Sequence, residues 1–273
     1  MPKIDFSGVT ELAKHSVAVV RQKGLDRFIL YGVRYLWWKL QFDRAIRSLP
    51  TSLATGAYLL IRRSVTWIIK SLRELYPNKY TDADPYKLIH IDPSSIEYTT
   101  GKQFSKRRGW VVGGEWDEEG EPFMQRTVPK AIEQRFVEGL EWEETTLANR
   151  YDKSTLEDRG VKIDQLYRHI RDDGYKSQRQ LLDTSPKMVW NGLNDAMHPL
   201  VNEIAIDIGR DGELLWNMWG QHRLAIARVL EIDRIPVQVF RRHAEWQTVR
   251  DRVRRGEEIP AQFRDHPDLT DLE

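Results

Sequence analysis

Four consecutive residues, Gly220-Gln221-His222-Arg223, carry the most distinctive chemistry in this sequence. Gly220 has no Cβ atom, so a ligand can approach the backbone closely at this point. A helical apolar pattern follows, and the free N–H groups and dipole at a helix start favour an anion. Arg223 adds a planar fork of donors and His222 adds a further donor. The segment therefore predicts a phosphate site, and a carboxylate would satisfy the same geometry.

The alternative is an ordinary helix start whose polar side chains are solvated, and the neighbouring elements favour the anion site over it. Residues 203 to 208 predict a strand with isoleucines on one face. Asp211-Gly212 suits a hairpin turn, since this pair tolerates positive φ. Residues 214 to 218 predict the return strand, and residues 235 to 239 alternate again as a last strand. The four-residue segment thus lies between a β-hairpin and a helix that leads to a third strand.

Upstream, two further helices are predicted close to this unit. Asp164 is a candidate N-cap for a helix that ends at Arg171. Gly174 suits the position just after that helix, where a left-handed conformation is common. Ser177 is a candidate cap for a short second helix that ends at Leu182.

These segments together resemble the ParB/sulfiredoxin-like fold, which ParB-type CTP switches, sulfiredoxin and free-serine kinases that use ADP or ATP share. The helix at Leu166–Ile170 and the following Gly174-Tyr175-Lys176-Ser177-Gln178 resemble its first box. Leu214 to Ala227 resembles its second box, in which Gly-x-x-Arg holds nucleotide phosphates. Ile235 to Val239 resembles the closing strand. The resemblance covers residues 161–242, which is under a third of the chain.

The resemblance implies a nucleoside di- or triphosphate ligand, with Mg²⁺ held mostly by the phosphates. It places Gly220, Gln221, His222 and Arg223 in the phosphate loop, and Gly174, Lys176 and Gln178 in the nucleotide-facing first box. One arginine and one histidine reach only about millimolar to high-micromolar affinity. Base and sugar contacts are therefore needed, and Tyr175, Trp216 and Trp219 are candidates to stack on the base, with packing in the core as the alternative.

Three departures from the family pattern narrow these expectations. Trp219 stands where many members have an aspartate before the loop glycine. The chain has no cysteine, which excludes sulfiredoxin activity, thiol catalysis and a thiolate metal site. No helix-turn-helix is visible downstream of the unit, which weakens the case for a chromosome-partition clamp.

Three functions remain open on the sequence alone. The first is a nucleotide-binding switch, either associated with DNA or not. The second is an enzyme, either a phosphotransferase acting on a small hydroxylated substrate or a nuclease, and the third is a membrane-surface or scaffold protein. The candidate general bases have no spacing that selects one of them: Asp172, Asp173, Glu203, Glu115 and Asp117. No His/Asp/Glu cluster has metal-ligand spacing, so no protein-held metal is predicted.

The first 80 residues are strongly basic and predict two helices. They hold 14 Lys/Arg against 5 Asp/Glu, a net charge of +9, while the remainder holds 28 against 36, a net charge of −8. Apolar residues from Leu25 to Leu40 recur at helical spacing, and a second helix is predicted from about Ser52 to Tyr76. The pair either binds an anionic membrane surface or nucleic acid, or packs as a hairpin on the rest of the chain. A membrane span is not expected, because Arg62 and Arg63 fall in the most apolar window.

The overall expectation is an α+β protein with a helical N-terminal segment and a mixed α/β core that contains the ParB/sulfiredoxin-like unit. Predicted segments are 1–80, 82–160, 161–243 and 244–273, the last with a helix from Ala244 to Arg254 and an irregular tail. Segment 82–160 has two predicted strands, near 86–92 and 110–114, and a helix near 129–140. Between them, Gly113 to Asp117 predicts a turn with an acidic tip. Met1 to Gly24 lacks the apolar stretch of a signal peptide, so we expect a cytoplasmic protein, peripheral to the membrane in the third alternative.

Overall fold

A computed structural model describes residues 49–101, 108–185, 189 and 198–272 of the chain. Residues 1–59 with 196–198 form one compact unit, and residues 60–195 with 199–273 form a second, larger one. The first predicted helix of the basic segment, and most of the first unit, lie outside the described residues. The second predicted helix is confirmed as α1, Thr51–Leu75.

The larger unit contains a mixed sheet of six strands among the described residues. The strands are β1 (Leu88–Ile91), β2 (Tyr98–Thr99), β3 (Trp110–Val112), β4 (Ile204–Ile208), β5 (Leu214–Asn217) and β6 (Ile235–His243). Their order is β1-β6-β4-β5-β2, with β3 also paired to β6. The sheet therefore combines strands from the predicted segments 82–160 and 161–243. The α+β class is confirmed.

The helices of the larger unit are α2 (Thr127–Phe136), α3 (Lys153–Asp173), α4 (Gln178–Thr184), α5 (Gln221–Val229) and α6 (Ala244–Arg254). Both α2 and α3 pack against α5, the helix that follows the Gly-x-His-Arg segment. The buried apolar side chains of α5 are Leu224, Ala225, Ile226 and Ala227, and they join the main core. This packing fixes the start of α5 relative to β4 and β5.

The hairpin of β4 and β5 forms as predicted, but β4 is more deeply buried than its pattern suggested. The Gly209 N–H donates to the Glu213 carbonyl at 2.9 Å, and Gly212 has φ 87° at the turn. All five residues of β4 are buried, not only the isoleucine face. The reason is that β4 lies inside the sheet, between β5 and β6, where both of its faces are covered.

The prediction that Asp164 begins a helix was wrong. Helix α3 begins eleven residues earlier at Lys153, and it crosses the predicted segment boundary at residue 160. Asp152 is the true N-cap, since its carboxylate accepts from the Thr155 N–H at 3.0 Å. Asp164 lies inside the helix, where its carboxylate accepts from the Trp142 indole at 3.2 Å. The predictions for the two following features hold: Gly174 ends α3 with φ 77°, and Ser177 caps α4.

The predicted acidic turn after β3 is not simply a solvated loop, because two of its side chains contact other parts of the fold. Trp116 is buried, and the guanidinium of Arg241 lies 3.9 Å from the centroid of its ring. Asp117 accepts from the Arg210 guanidinium through both carboxylate oxygens, at 3.0 and 2.9 Å. Glu115 and Glu118 remain exposed at the tip. The segment thus holds the β4–β5 hairpin in place.

A buried charge cluster joins α6 to distant parts of the chain. Arg250 is fully buried and donates to the carboxylates of Asp82 and Asp271, each at 3.0 Å. Asp268 is also buried and accepts from the Arg242 guanidinium and the Trp246 indole. Although burial opposes ionisation, these arginines hold the pKa of Asp82 and of Asp268 below the usual range. The C-terminal segment predicted as an irregular tail is therefore tied to the core by ion pairs.

The described helices include no transmembrane candidate, because none combines sufficient length with an apolar enough composition to cross a bilayer. Within α1, the residues that face the rest of the larger unit are Ile69 and Leu72, both buried. The opposite side of the same helix is exposed to solvent.

Candidate functional site

The start of α5 is set by Gly220. This residue has φ 78°, and a Cβ atom built on it would lie 2.6 Å from Cγ1 and 2.7 Å from Cα of Ile204. Its glycine character is therefore explained by the close approach of strand β4 and by the left-handed backbone, not by a ligand. No side chain among the described residues caps α5. The N–H groups of its first turn therefore have no side-chain acceptor among the described residues.

Arg223, the predicted phosphate ligand, already has partners within the protein. Its guanidinium donates to the Asn202 carbonyl, to the Tyr175 hydroxyl at 3.4 Å and to the Glu203 carboxylate at 3.5 Å. The side chain is only 12% exposed. Arg223, which the sequence predicted as a phosphate ligand, is therefore held by contacts within the protein. The cause is Glu203, which the strand β4 places directly beside it.

Glu203 acts as an internal anion between the two predicted boxes. One of its carboxylate oxygens accepts from the Gln178 N–H, at the start of α4, at 2.6 Å, and the other faces Arg223. Burial raises the pKa of Glu203, and the charge of Arg223 opposes this effect. An anion held by an arginine and a helix start, as predicted from the sequence, is thus present. The anion at this position is the carboxylate of Glu203 itself.

His222 lies beside the uncapped start of α5 and is neutral near pH 7. Burial lowers its pKa to about 4, and the nearby guanidiniums of Arg159 and Arg223 add to the effect. Arg159 comes from α3, where it stacks on the Tyr151 ring at 4.4 Å. It forms no ion pair with any residue in the described part of the chain. The region around His222 therefore carries positive charge that the described carboxylates only partly balance.

The three candidates for base stacking are engaged in packing. Trp219 meets Phe240 edge to face with ring centroids 5.1 Å apart, and the Arg108 guanidinium lies 5.2 Å from the centroid of its ring. Tyr175 packs against the core, and burial raises the pKa of its hydroxyl to about 12. Trp216 is buried in β5. For these aromatic residues the packing interpretation explains the contacts that the structure shows.

The other predicted residues divide into those near the site and those with separate partners. Gln178 meets Arg223 indirectly, through Glu203, and Gln221 is half-buried in the first turn of α5. Gly174 is exposed with open space around its Cα, and Lys176 is half-buried without a described contact to the loop. Among the candidate bases, Asp172 pairs with Arg171, Asp173 with His169 and Asp117 with Arg210. Glu203 is therefore the candidate base that touches this site.

Comparison of the chain with known proteins found no relative. No protein-family model, curated protein or solved structure matches the chain. The ParB/sulfiredoxin-like fold accordingly stays a prediction carried by the sequence boxes. Within the described residues, no group of three or more His, Asp or Glu side chains is placed to hold a metal ion.

Two contributors to the site were missed by reasoning from sequence. Asn202 acts through its carbonyl, which no side-chain pattern can indicate. Arg159 was outside the helix predicted to begin at Asp164, so its position facing α5 was not visible. A correct assignment of the Asp152 cap, which has Ser154 and Thr155 just after it, would have placed Arg159 on α3.

Proposed function

We propose that this protein binds a nucleoside di- or triphosphate, with one phosphate group at the start of α5. The observation that carries the proposal is an uncapped helix start beside His222 and beside Arg159, which has no ion-pair partner among the described residues. Such a start combines free N–H donors with a positive dipole end. Nucleotide is preferred over other anions because the surrounding sequence resembles the two boxes of the ParB/sulfiredoxin-like fold.

The roles of the residues differ from those expected at first. In this proposal Arg159 and the first N–H groups of α5 contact the phosphate, and His222 lies next to it. Arg223 keeps its contacts with Glu203 and Asn202, and it acts by holding the loop and by its charge. Any Mg²⁺ enters with the nucleotide, since phosphate oxygens and water supply most of its ligands.

Removing the guanidinium of Arg159 is expected to abolish nucleotide binding and leave the fold intact. In Arg159→Gln the protein loses a charge-assisted contact to phosphate and only a partly exposed stack on Tyr151. Thermal unfolding is measured with ATP, ADP, CTP, GTP and UTP, each with Mg²⁺. A nucleotide at 100 times its dissociation constant adds about 2.7 kcal/mol to the free energy of unfolding of the wild type.

The matched control is Arg168→Gln, which removes an exposed arginine of the same helix that donates to the Asp164 carbonyl. This variant should respond to nucleotide like the wild type. The proposal fails if no nucleotide shifts the melting temperature up to millimolar concentration. It also fails if Arg159→Gln responds as strongly as Arg168→Gln.

Binding is expected to tighten as the pH falls. A phosphate group beside His222 stabilises its protonated form, so the pKa rises from about 4 in the free protein. Between the pKa of His222 in the complex and its lower pKa in the free protein, the complex binds more protons than the free protein does. The affinity for nucleotide therefore increases as the pH decreases through that range. Each unit by which the pKa rises corresponds to roughly tenfold in affinity.

The measurement is titration of the best nucleotide between pH 8 and pH 5 by calorimetry, with His222→Asn as the reference. Phosphate itself takes up a proton near pH 6. The reference variant keeps that contribution and loses the one from His222. Identical pH profiles for the two proteins would show that His222 does not face the phosphate.

A further inference from the structure

One side of α1 exposes a row of large apolar side chains. Leu60, Trp67 and Leu75 are 66%, 70% and 71% exposed, and together they are called the α1 stripe here. They follow each other at seven and eight residues, a spacing that keeps them on one side of a helix. Ile69 and Leu72, on the other side, are buried. The helix therefore has two apolar sides, and the fold of the larger unit covers one of them.

The side chains that flank the α1 stripe are basic. Arg63 and Lys70 are exposed and form no ion pair within the described residues. Arg62 and Arg73 lie further round the helix and pair with Asp84 and Asp251. In its whole length the helix contains a single acidic residue, Glu74. The exposed side is thus an apolar row with a net positive charge along it, since Arg63 and Lys70 outnumber Glu74.

We propose that the α1 stripe binds an anionic lipid surface, with the helix lying in the plane of the membrane interface. Charge complementarity selects this partner, because Arg63 and Lys70 sit where lipid headgroups would meet them. Tryptophan suits the boundary between headgroups and acyl chains, and arginine and lysine stems extend from it to the charged layer. Helices of this kind lie on the surface rather than span the bilayer.

A second copy of the chain fits the same surface less well. A coiled-coil seam needs two apolar positions in every seven residues, whereas the α1 stripe offers about one. Between Leu60 and Trp67 the exposed positions are Arg63 and Ser64. Two such helices would place like charges beside a narrow apolar contact.

The proposal is tested by sedimentation of the full chain with vesicles of phosphatidylcholine, with and without phosphatidylserine. We expect the wild type to bind the vesicles that contain phosphatidylserine at low salt, and to be released at high salt. The variant Leu60→Glu/Trp67→Glu should lose at least about tenfold in partition coefficient, because it replaces apolar contacts by negative charge. Arg63→Glu/Lys70→Glu should lose the preference for phosphatidylserine.

The control is Val161→Glu, which places one glutamate at a valine that is 54% exposed on α3. It should bind vesicles like the wild type, and all four proteins should melt alike, since each substitution is at an exposed position. Absence of wild-type binding to phosphatidylserine vesicles would overturn the proposal. Equal binding by wild type and Leu60→Glu/Trp67→Glu would also overturn it, by placing the contact elsewhere in the chain. The proposal would also be overturned if the stripe variant changed the oligomeric state alone, which would indicate contact with a second copy. A change in the melting temperature alone would likewise overturn it, because it would indicate that the stripe is buried within the chain.

Discussion

Replacing Arg250 by methionine is expected to lower the free energy of unfolding by about 3–5 kcal/mol. Arg250 is fully buried and is shared by the carboxylates of Asp82 and Asp271, with Asp268 3.4 Å away. Methionine fills part of the volume but leaves the buried Asp82 carboxylate without its main cation. Urea denaturation at pH 7 measures the change, and a loss of this size would unfold many domains outright.

The control for this prediction is Arg255→Met on the same C-terminal part of the chain. Arg255 and Glu257 form a solvent-exposed pair, and such pairs contribute little to stability because solvent screens their charges. If Arg250→Met were as stable as Arg255→Met, the buried charge cluster would not hold the C-terminal segment on the core. A second variant, Asp82→Asn with Arg250→Met, should recover part of the loss, because it removes one of the unpaired charges.

Arg223→Met is the second substitution with a large expected effect, again about 3–5 kcal/mol in the free energy of unfolding. The guanidinium balances the buried Glu203 carboxylate, and its removal leaves that charge with the Gln178 N–H as its remaining described partner. The experiment compares urea denaturation of the wild type, Arg223→Met and Arg223→Met/Glu203→Gln.

The double variant decides what the loss means. If the cost of Arg223→Met comes from an uncompensated carboxylate, neutralising Glu203 should restore a substantial part of the stability. Unchanged stability in Arg223→Met would instead show that Arg223 has no structural role and is free to serve an external anion. Nucleotide binding by the double variant is a separate readout, since Arg159 and the start of α5 are retained.

Local patterns predicted the elements around α5 well, because each has a short-range physical cause. The Asp211-Gly212 pair makes the hairpin, Ser177 caps α4, and Gly174 ends α3 with a positive φ. Helix α6 has the predicted bounds, Ala244–Arg254. These features depend on hydrogen bonds between residues that are close in the sequence, so the local sequence is sufficient to predict them.

Features that depend on distant partners were not accessible in the same way. Gly220 suggested room for a ligand, whereas the space beside it is filled by Ile204 from the preceding strand. Arg223 suggested an external anion, whereas a carboxylate twenty residues earlier in the chain occupies that role. Charge and donor geometry are visible in a sequence, but which anion completes them depends on tertiary packing.

Strand β6 has a consequence for how the chain acquires its structure during synthesis. It pairs with β1, β3 and β4, yet it begins at Ile235, well over 100 residues after β1 and β3. As the ribosome releases the chain from its N-terminal end, β1 and β3 emerge long before the strand that they need. Their unpaired edges must wait until β6 leaves the exit tunnel, and at about 5–20 residues per second this interval lasts several seconds or more. Exposed strand edges are points of intermolecular pairing, so newly made chains should depend on chaperones during this interval.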